Sequence, residues 1–325
     1  MAPSWRLRLT TAIALLLGAC SGGPSILDAQ GPGSRRIEGL WWLMLWISVV
    51  VLAVVVLLLG MALVRTRWST EGEPGWGEPF IVVAGVIVPA LILGGVFVIS
   101  LRDLNALTAG GNEARLTIEV VGHDWWWEAR YPGEAVTANE IHIPAAEPVR
   151  FRVTTADVIH SFWVPQLGPK IDMIPGRENV TWLEADRPGR YRGQCAEFCG
   201  LQHANMAFFV VAEPPDRFQS WLENEAAPAP APDGQVVEGQ EVFLTSTCVG
   251  CHAIRGTEAA ARLGPDLTHL AARETIAAGT LPNTRENLAR WITDPQSIKP
   301  GAVMPPTQLS TEELEALLDY LESLE

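Results

Sequence analysis

The side chains best suited to chemistry fall between residues 160 and 206. The stretch opens at His160 and closes with the run Cys195-Ala-Glu197-Phe-Cys199-Gly-Leu-Gln-His203-Ala-Asn-Met206. Thiolate, imidazole and thioether together favour copper over hard cations such as magnesium or calcium. A single blue-copper ion takes one Cys, two His and a weak axial Met. Here a second Cys stands four residues from the first. Two bridging thiolates would hold two copper ions side by side, with one imidazole on each. Met206 and the backbone carbonyl of Glu197 would complete the two ions. Gly200 lets the loop turn tightly, and a separate loop must bring in His160. Residue types leave two other readings open. Cys195 and Cys199 suit a structural disulfide, and closely spaced Cys with a downstream His suit zinc. Neither uses Met206.

A second motif lies near the C-terminus. Cys248-Val-Gly-Cys251-His252 reads as covalent haem attachment, with thioether bonds from both Cys and the His as axial ligand. Alone, such a pentapeptide also fits a redox dithiol or part of a zinc site, and its surroundings decide. Gly239 to Phe243 precedes it on an expected helix. Gly264-Pro265-Asp266-Leu267, then Met304-Pro305, then an amphipathic helix from Thr311 to Leu324 follow. That helix carries a Ser310/Thr311 cap signal, with Glu312 and Glu313 in its first turn. The order resembles a class I cytochrome c module. The resemblance makes Met304 the sixth ligand, with His269 as the rival, and His/Met ligation raises the reduction potential.

The upstream segments also carry a resemblance. They are Asp157-Val-Ile-His160-Ser-Phe-Trp163-Val-Pro165, Lys170-Ile-Asp172-Met-Ile-Pro175-Gly176-Arg177, and Gly193-Gln194-Cys195 to Met206. Together they resemble subunit II of haem–copper cytochrome c oxidases, from about residue 40 to about residue 222. The resemblance implies a binuclear copper centre, CuA, on His160, Cys195, Glu197 (by its carbonyl), Cys199, His203 and Met206. It also implies that the Glu197 carboxylate helps hold magnesium at the contact with subunit I, near Asp172 and Arg177. Gly122-His123-Asp124-Trp125-Trp126-Trp127 resembles the family's aromatic run, and Trp125 is expected to pass electrons to copper. The other reading of this run is core packing by alternate Trp residues. His123 and His142 are expected to serve structure. Many relatives carry a Glu seven residues before the proline matching Pro89, at the mouth of a proton pathway. Here that position is Val82, with Glu78 nearby but out of register.

These residues need elements to place them. At roughly 100 to 200 residues per domain, 325 residues suggest about two domains plus extras. Residues 1–20 read as a signal peptide, with Arg6 and Arg8 before the apolar stretch Leu9 to Leu17. Leu17-Gly18-Ala19-Cys20 resembles a lipoprotein cleavage box, which would make Cys20 the lipidated residue. Residues 21–39 read as a Gly/Ser/Pro tether. Residues 40–102 hold two uncharged runs, Leu40 to Val64 and Phe80 to Leu101. Each exceeds the roughly 20 residues that span a bilayer, so a transmembrane hairpin is expected, ending in Ser100-Leu101-Arg102 as in the family. Arg65 and Arg67 place the intervening loop in the cytoplasm. Arg35, Arg36 and Arg102 compete, and the exported N-terminus breaks the tie. Four of the thirteen Trp, namely Trp41, Trp42, Trp46 and Trp68, suit a membrane interface.

Residues 103–223 read as a Greek-key sandwich of the cupredoxin type. Leu116 to Val121 and Val149 to Thr154 alternate apolar and polar side chains, and Ala207 to Val211 is a further strand. Pro-Gly pairs at 132 and 188 mark turns. Residues 224–235 form a Pro/Ala linker of the extended, semi-rigid kind. Residues 236–325 form an all-α cytochrome c domain. The expected fold class is thus a multidomain membrane protein. It combines a two-helix hairpin, a β-sandwich and a helical cytochrome.

A net charge of −14 argues against nucleic acid, whose binding needs a basic footprint. It suits a basic protein donor, steered by an attraction that salt weakens. The resemblance implies subunit II of a bacterial caa3-type cytochrome c oxidase, held in the cell membrane with both redox domains outside the cytoplasm. Electrons would pass from cytochrome c or another respiratory donor to haem c, then CuA, then the oxygen-reducing centre of subunit I, with proton translocation there. Further oxidase subunits would complete the complex, and this chain would hold no catalytic residue of its own. Two other expectations stay open: a CuA/cytochrome c subunit of a nitric oxide reductase, and a free-standing membrane-anchored electron carrier. Nitrous oxide reductase shares the copper motif but needs a propeller domain too large for this chain.

Overall fold

The structure, a computed structural model, describes residues 23–66, 77–234 and 236–325. The expected signal segment with Cys20 lies outside the described residues, as do Arg67 and Trp68.

The first helix, α1 (Pro32–Thr66), starts eight residues before the apolar run, inside the stretch expected to be tether. Residues ahead of it are bound to the sandwich: Gln30 N–H donates to the Gln166 carbonyl, and Ser34 Oγ donates to the same carbonyl at 2.6 Å. The second helix enters as α2 (Gly77–Val82), widens through a π turn at Val83–Ile87 and continues as α3 (Val88–Ala109). Pro89 has no N–H to donate to the preceding turn and its ring crowds that turn, so a widened turn relieves both. Both helices are long and apolar enough to cross a membrane. Leu52, Leu57 and Leu91 are 64%, 62% and 71% exposed, so these are not the buried core helices of a soluble protein. A helix satisfies all its backbone groups within itself, as lipid demands.

The sandwich holds β1 (Leu116–His123), β2 (Trp126–Arg130), β3 (Val136–Ala138), β4 (Glu140–Pro144), β5 (Val149–Thr155), β6 (His160–Phe162), β7 (Ile171–Met173), β8 (Asn179–Leu183), β9 (Gly189–Gln194) and β10 (Ala207–Glu213). One sheet runs β3-β2-β1-β5-β8 and the other β4-β10-β9, with β6-β7 as a separate hairpin. Residues of one face alternate with the other along a strand. Ile118 and Val120 of β1, Phe151 and Val153 of β5, and Phe208 and Val210 of β10 therefore all point into the core. Trp127 lies at its centre, fully buried, with its ring 4.9 Å from that of Phe208. The three consecutive Trp residues thus divide: Trp127 packs the core, while Trp125 and Trp126 face outward. His123 stacks on Trp126 and His142 on Trp221, so both histidines serve structure, as expected.

Next come α4 (Pro215–Ala226) and the Pro/Ala segment. Residues 224–226 belong to the last turn of α4, so the extended part is shorter than expected. It is also tied down. Ala229 N–H donates to the Arg255 carbonyl, and the Ala227 carbonyl accepts from His269 Nε2 at 3.1 Å. Short Ala side chains leave the backbone free to dock in this way.

The C-terminal unit contains α5 (Val236–Thr245), β11 (Thr275–Ile276), β12 (Leu281–Pro282), α6 (Arg285–Thr293), α7 (Pro295–Ile298) and α8 (Thr311–Glu322). Helix α8 opens with a full capping box. Glu313 N–H donates to Ser310 Oγ, and Ser310 N–H donates to the Glu313 carboxylate. Such caps contribute about 1 kcal/mol. Phe243 of α5 packs on Tyr320 of α8, and Leu317, Leu318 and Leu321 fill the core beneath.

Candidate functional site

Four loops and strand ends meet at one end of the sandwich. Strand β6 starts at His160, and the loop after β9 carries Cys195 to Met206. The two Sγ atoms lie 3.7 Å apart. His160 Nδ1 stands 3.9 Å from Cys195 Sγ, and His203 Nδ1 stands 3.6 Å from Cys199 Sγ. Met206 Sδ is 3.8 Å from Cys199 Sγ, and the Glu197 carbonyl is 3.2 Å from Cys195 Sγ. All six expected donors therefore converge, one imidazole to each thiol. Both cysteines are free, and a separation of 3.7 Å is far beyond a disulfide bond of about 2.05 Å. The sulfur spacing alone suits shared copper ions or a tetrahedral zinc site. The buried thioether decides for copper, because thioether ligands suit copper and zinc sites are built from Cys, His and carboxylate. The residues present thus fit a binuclear copper centre.

The loop has its own reasons for this shape. Gly200 sits at φ +107°, which a side chain rarely adopts. The indole of Trp125 packs against the same residue, and its Nε1 donates to the Cys199 carbonyl at 2.8 Å. Asp157, unassigned from sequence, aims His160. Its Oδ1 accepts from His160 Nε2 at 2.8 Å and its Oδ2 accepts from Asp124 N–H at 2.7 Å. Nδ1 is thereby turned toward the thiol. The only signal for this role is the three-residue spacing from Asp157 to His160.

Electrostatics prepare the loop for a cation. Burial opposes charge on His160, but its hydrogen bonds to Asp157 and Cys195 outweigh that and lift its pKa to about 9. The bond from Cys199 S–H, with help from His160, holds Cys195 down at about 3. Cys199 is pushed up by the same bond and by burial. Without metal the pair shares one proton, and metal binding releases it.

The Glu197 carboxylate points away from this cluster, to Lys170 Nζ at 3.3 Å, which also meets Asp172 at 3.4 Å. Arg177 makes no side-chain ion pair with either carboxylate; its N–H caps the turn at the Ile174 carbonyl.

A second site opens beside the first. A cleft is lined by Cys248, Cys251, His252 and Met304, by apolar side chains such as Leu270 and Trp291, and by Trp125 and Trp126. His252 Nδ1 donates to the Pro265 carbonyl at 2.8 Å, which leaves Nε2 as the free ligand atom. Burial lowers its pKa and keeps it neutral. Gly264 lies against this ring, where a Cβ would come within 2.6 Å of Cε1. Gln296 Nε2 donates to the Ala302 and Met304 carbonyls and fixes the methionine loop. His269 is buried elsewhere, with one ring nitrogen on the Glu325 carbonyl and the other on that of Ala227. It has no nitrogen left for a metal. An apolar cleft with two thiols, one neutral imidazole and one thioether fits haem c.

Known proteins carry the same two parts. The family model "Cytochrome C oxidase subunit II, periplasmic domain" matches residues 134–213, and "Cytochrome c" matches residues 236–325. Cytochrome c oxidase subunit 2 of Alkalihalophilus pseudofirmus is 38% identical, over 96% of this chain and 94% of the relative. The Bacillus subtilis subunit is 33% identical, over 100% of this chain and 99% of its own. A crystal structure of the periplasmic domain of subunit II from Bradyrhizobium japonicum is 37% identical, covers 34% of this chain and 94% of its own, and superposes with a TM-score of 0.33. End-to-end likeness at this level, over a chain whose sandwich and helical unit each gather a redox donor set, places the protein in the family of cytochrome c oxidase subunit 2, in the form that carries a C-terminal cytochrome c domain.

Proposed function

We propose that this chain is the electron-receiving subunit of a caa3-type oxidase. His160, Cys195, the Glu197 carbonyl, Cys199, His203 and Met206 would hold copper; Cys248 and Cys251 would bind haem c covalently, with His252 and Met304 as its iron ligands. Both groups supply one-electron redox chemistry when bound. What carries the reading is the convergence of six copper donors next to the cleft that takes the haem.

The residues then have separable tasks. Asp157 fixes the ring and tautomer of His160. Sandwich strands hold the loop still, which keeps reorganisation small on a redox change. Trp125 lines the haem cleft and donates to the Cys199 carbonyl, so one side chain spans both sites. Electrons enter the C-terminal domain from an external donor, cross at Trp125 to the sandwich, and leave toward subunit I, where oxygen is reduced and protons are moved. Helices α1 and α2–α3 span the membrane twice, with both redox domains on the outer side. The domain limits in this reading are 32–109 for the hairpin, 110–226 for the copper domain, 227–235 for the connector and 236–325 for the cytochrome, preceded by the exported segment 1–20, with Cys20 lipidated, and a short tether. Magnesium is not part of this reading, because the Glu197 carboxylate is paired with Lys170. Glu78 lies one helical turn before Val82 on the same face.

The test is isolation from the native membrane through a tag on this chain. A larger polytopic subunit with haem a and oxygen consumption should accompany it. Recovery of this chain alone, fully loaded, would show a free-standing carrier instead.

A further inference from the structure

Two charged side chains are buried where the C-terminal unit meets the sandwich, and neither is a copper or haem ligand. Glu140 of β4 is 3% exposed. Its Oε1 accepts from Thr275 N–H at 3.0 Å, Thr275 Oγ1 at 2.8 Å and Arg190 Nη2 at 2.9 Å, and its Oε2 accepts from Glu274 N–H at 3.2 Å. Lys299 is also 3% exposed. Its Nζ donates to the Trp125 carbonyl at 2.8 Å, across the contact, and to the Ala277 carbonyl at 3.1 Å. Gln202 Nε2 donates across to the Pro300 carbonyl at 2.7 Å.

The backbone between these points is strained. Ala277 and Ala278 have φ of +53° and +58°, in a region that costs a non-glycine residue of order 1–3 kcal/mol. Such strain persists only where surrounding contacts over-determine it. Here the Ala277 carbonyl meets Lys299, and the Ala278 carbonyl accepts from Ala207 N–H of β10 at 3.2 Å. Weak electron-transfer encounters bury little surface, and a charge taken out of water costs several kcal/mol unless hydrogen bonds satisfy it. A surface meant to release its partner would keep Glu140 and Lys299 hydrated. Parting the units would strip Glu140 of its three bonds from Glu274 and Thr275, leaving Arg190 alone, and would strip Lys299 of the Trp125 carbonyl.

We propose that Glu140 and Lys299 dock the cytochrome domain permanently on the face of the sandwich that carries Trp125, closing that face to every separate protein and making both residues positioning residues for electron passage between the domains. The docking stands on geometry alone; the electron-passage part rests on the function proposed above.

The experiment uses the full chain, loaded with haem and copper, in its complex. The first readout is amide hydrogen exchange at Ala207, Glu274 and Thr275. Wild type should protect all three. Glu140→Gln should speed exchange at Glu274 and Thr275 by about tenfold or more, and Lys299→Met should do so at Ala207. The second readout is electron transfer between the domains after rapid photochemical reduction of the haem. In wild type the rate should not change with solvent viscosity or salt. In the double variant it should fall and become viscosity-dependent, with haem and copper spectra unchanged. Should the variants fail to fold, the wild-type measurements still decide. A wild-type rate that falls with viscosity, or unprotected amides at Glu274 and Thr275, would overturn the docking. Protected amides without electron transfer would uphold the docking and refute the relay.

Discussion

Replacing Asp157 with Asn tests how His160 is made a ligand. The carboxylate accepts hydrogen bonds from His160 Nε2 at 2.8 Å, Asp124 N–H at 2.7 Å and Val158 N–H at 2.7 Å, with Thr155 Oγ1 farther off at 3.3 Å. Burial favours the neutral acid, but these bonds outweigh it and hold the pKa below the ordinary carboxylate value. The group is therefore an anion that accepts Nε2–H, so that a metal displaces the Nδ1 proton facing Cys195 and meets a lone pair there. An amide NH₂ facing Nε2 would favour the opposite tautomer and put a proton on Nδ1. Losing such a partner typically costs a metal site 10–100-fold in affinity, or about 1.4–2.7 kcal/mol. Copper retention against a graded chelator, on the haem-loaded protein, measures this. Asp157→Asn should lose copper at chelator levels roughly tenfold or more below wild type. Glu128→Gln removes a carboxylate from the non-ligand His123 and should retain copper like wild type. Wild-type retention by Asp157→Asn, or equal loss in both variants, would refute the reasoning.

Other outcomes follow from the same structure. Met304→Ala should turn the haem from low to high spin in its optical spectrum, whereas His269→Gln should leave it low spin, because both His269 nitrogens face backbone carbonyls. Trp125→Phe removes the hydrogen bond to the Cys199 carbonyl and should slow transfer between the domains while copper and haem contents stay at wild-type levels, as stopped-flow and metal analysis would show. Glu225 is 4% exposed, and burial raises its pKa from 4.5 to about 7. A raised carboxyl pKa favours the protonated folded state, so this residue withdraws stability as pH climbs from about 4.5 through 7, by about 3 kcal/mol once both limits are passed. Glu225→Gln should therefore raise the unfolding temperature at pH 8 relative to wild type and leave it nearly unchanged at pH 4.

The metal and haem motifs were legible because ligand chemistry restricts residue type and spacing within one loop. Cys195 to Met206 and Cys248 to His252 are local, so their meaning survives without a fold. Strands such as Leu116 to Val121 were legible through alternation, and the hairpin through its uncharged runs. What sequence did not show depends on contacts between distant segments. Asp157 becomes an orienting group only when β6 and the loop after β9 meet. Glu140 and Lys299 carry no local signal, and their role appears only where the domains pack. The connector read as an extended, semi-rigid spacer because composition reports stiffness, while its anchorage comes from Arg255 and His269, well downstream. His269 as a haem ligand was excluded by its two carbonyl partners, which no local pattern announces.

The central claim is that the sandwich holds two copper ions next to one haem c. Metal analysis and electron paramagnetic resonance of the purified full chain test it most directly. The account predicts two coppers per haem and a mixed-valence signal with the unpaired electron shared over both ions. One copper with a mononuclear signal, or zinc in its place, would contradict it.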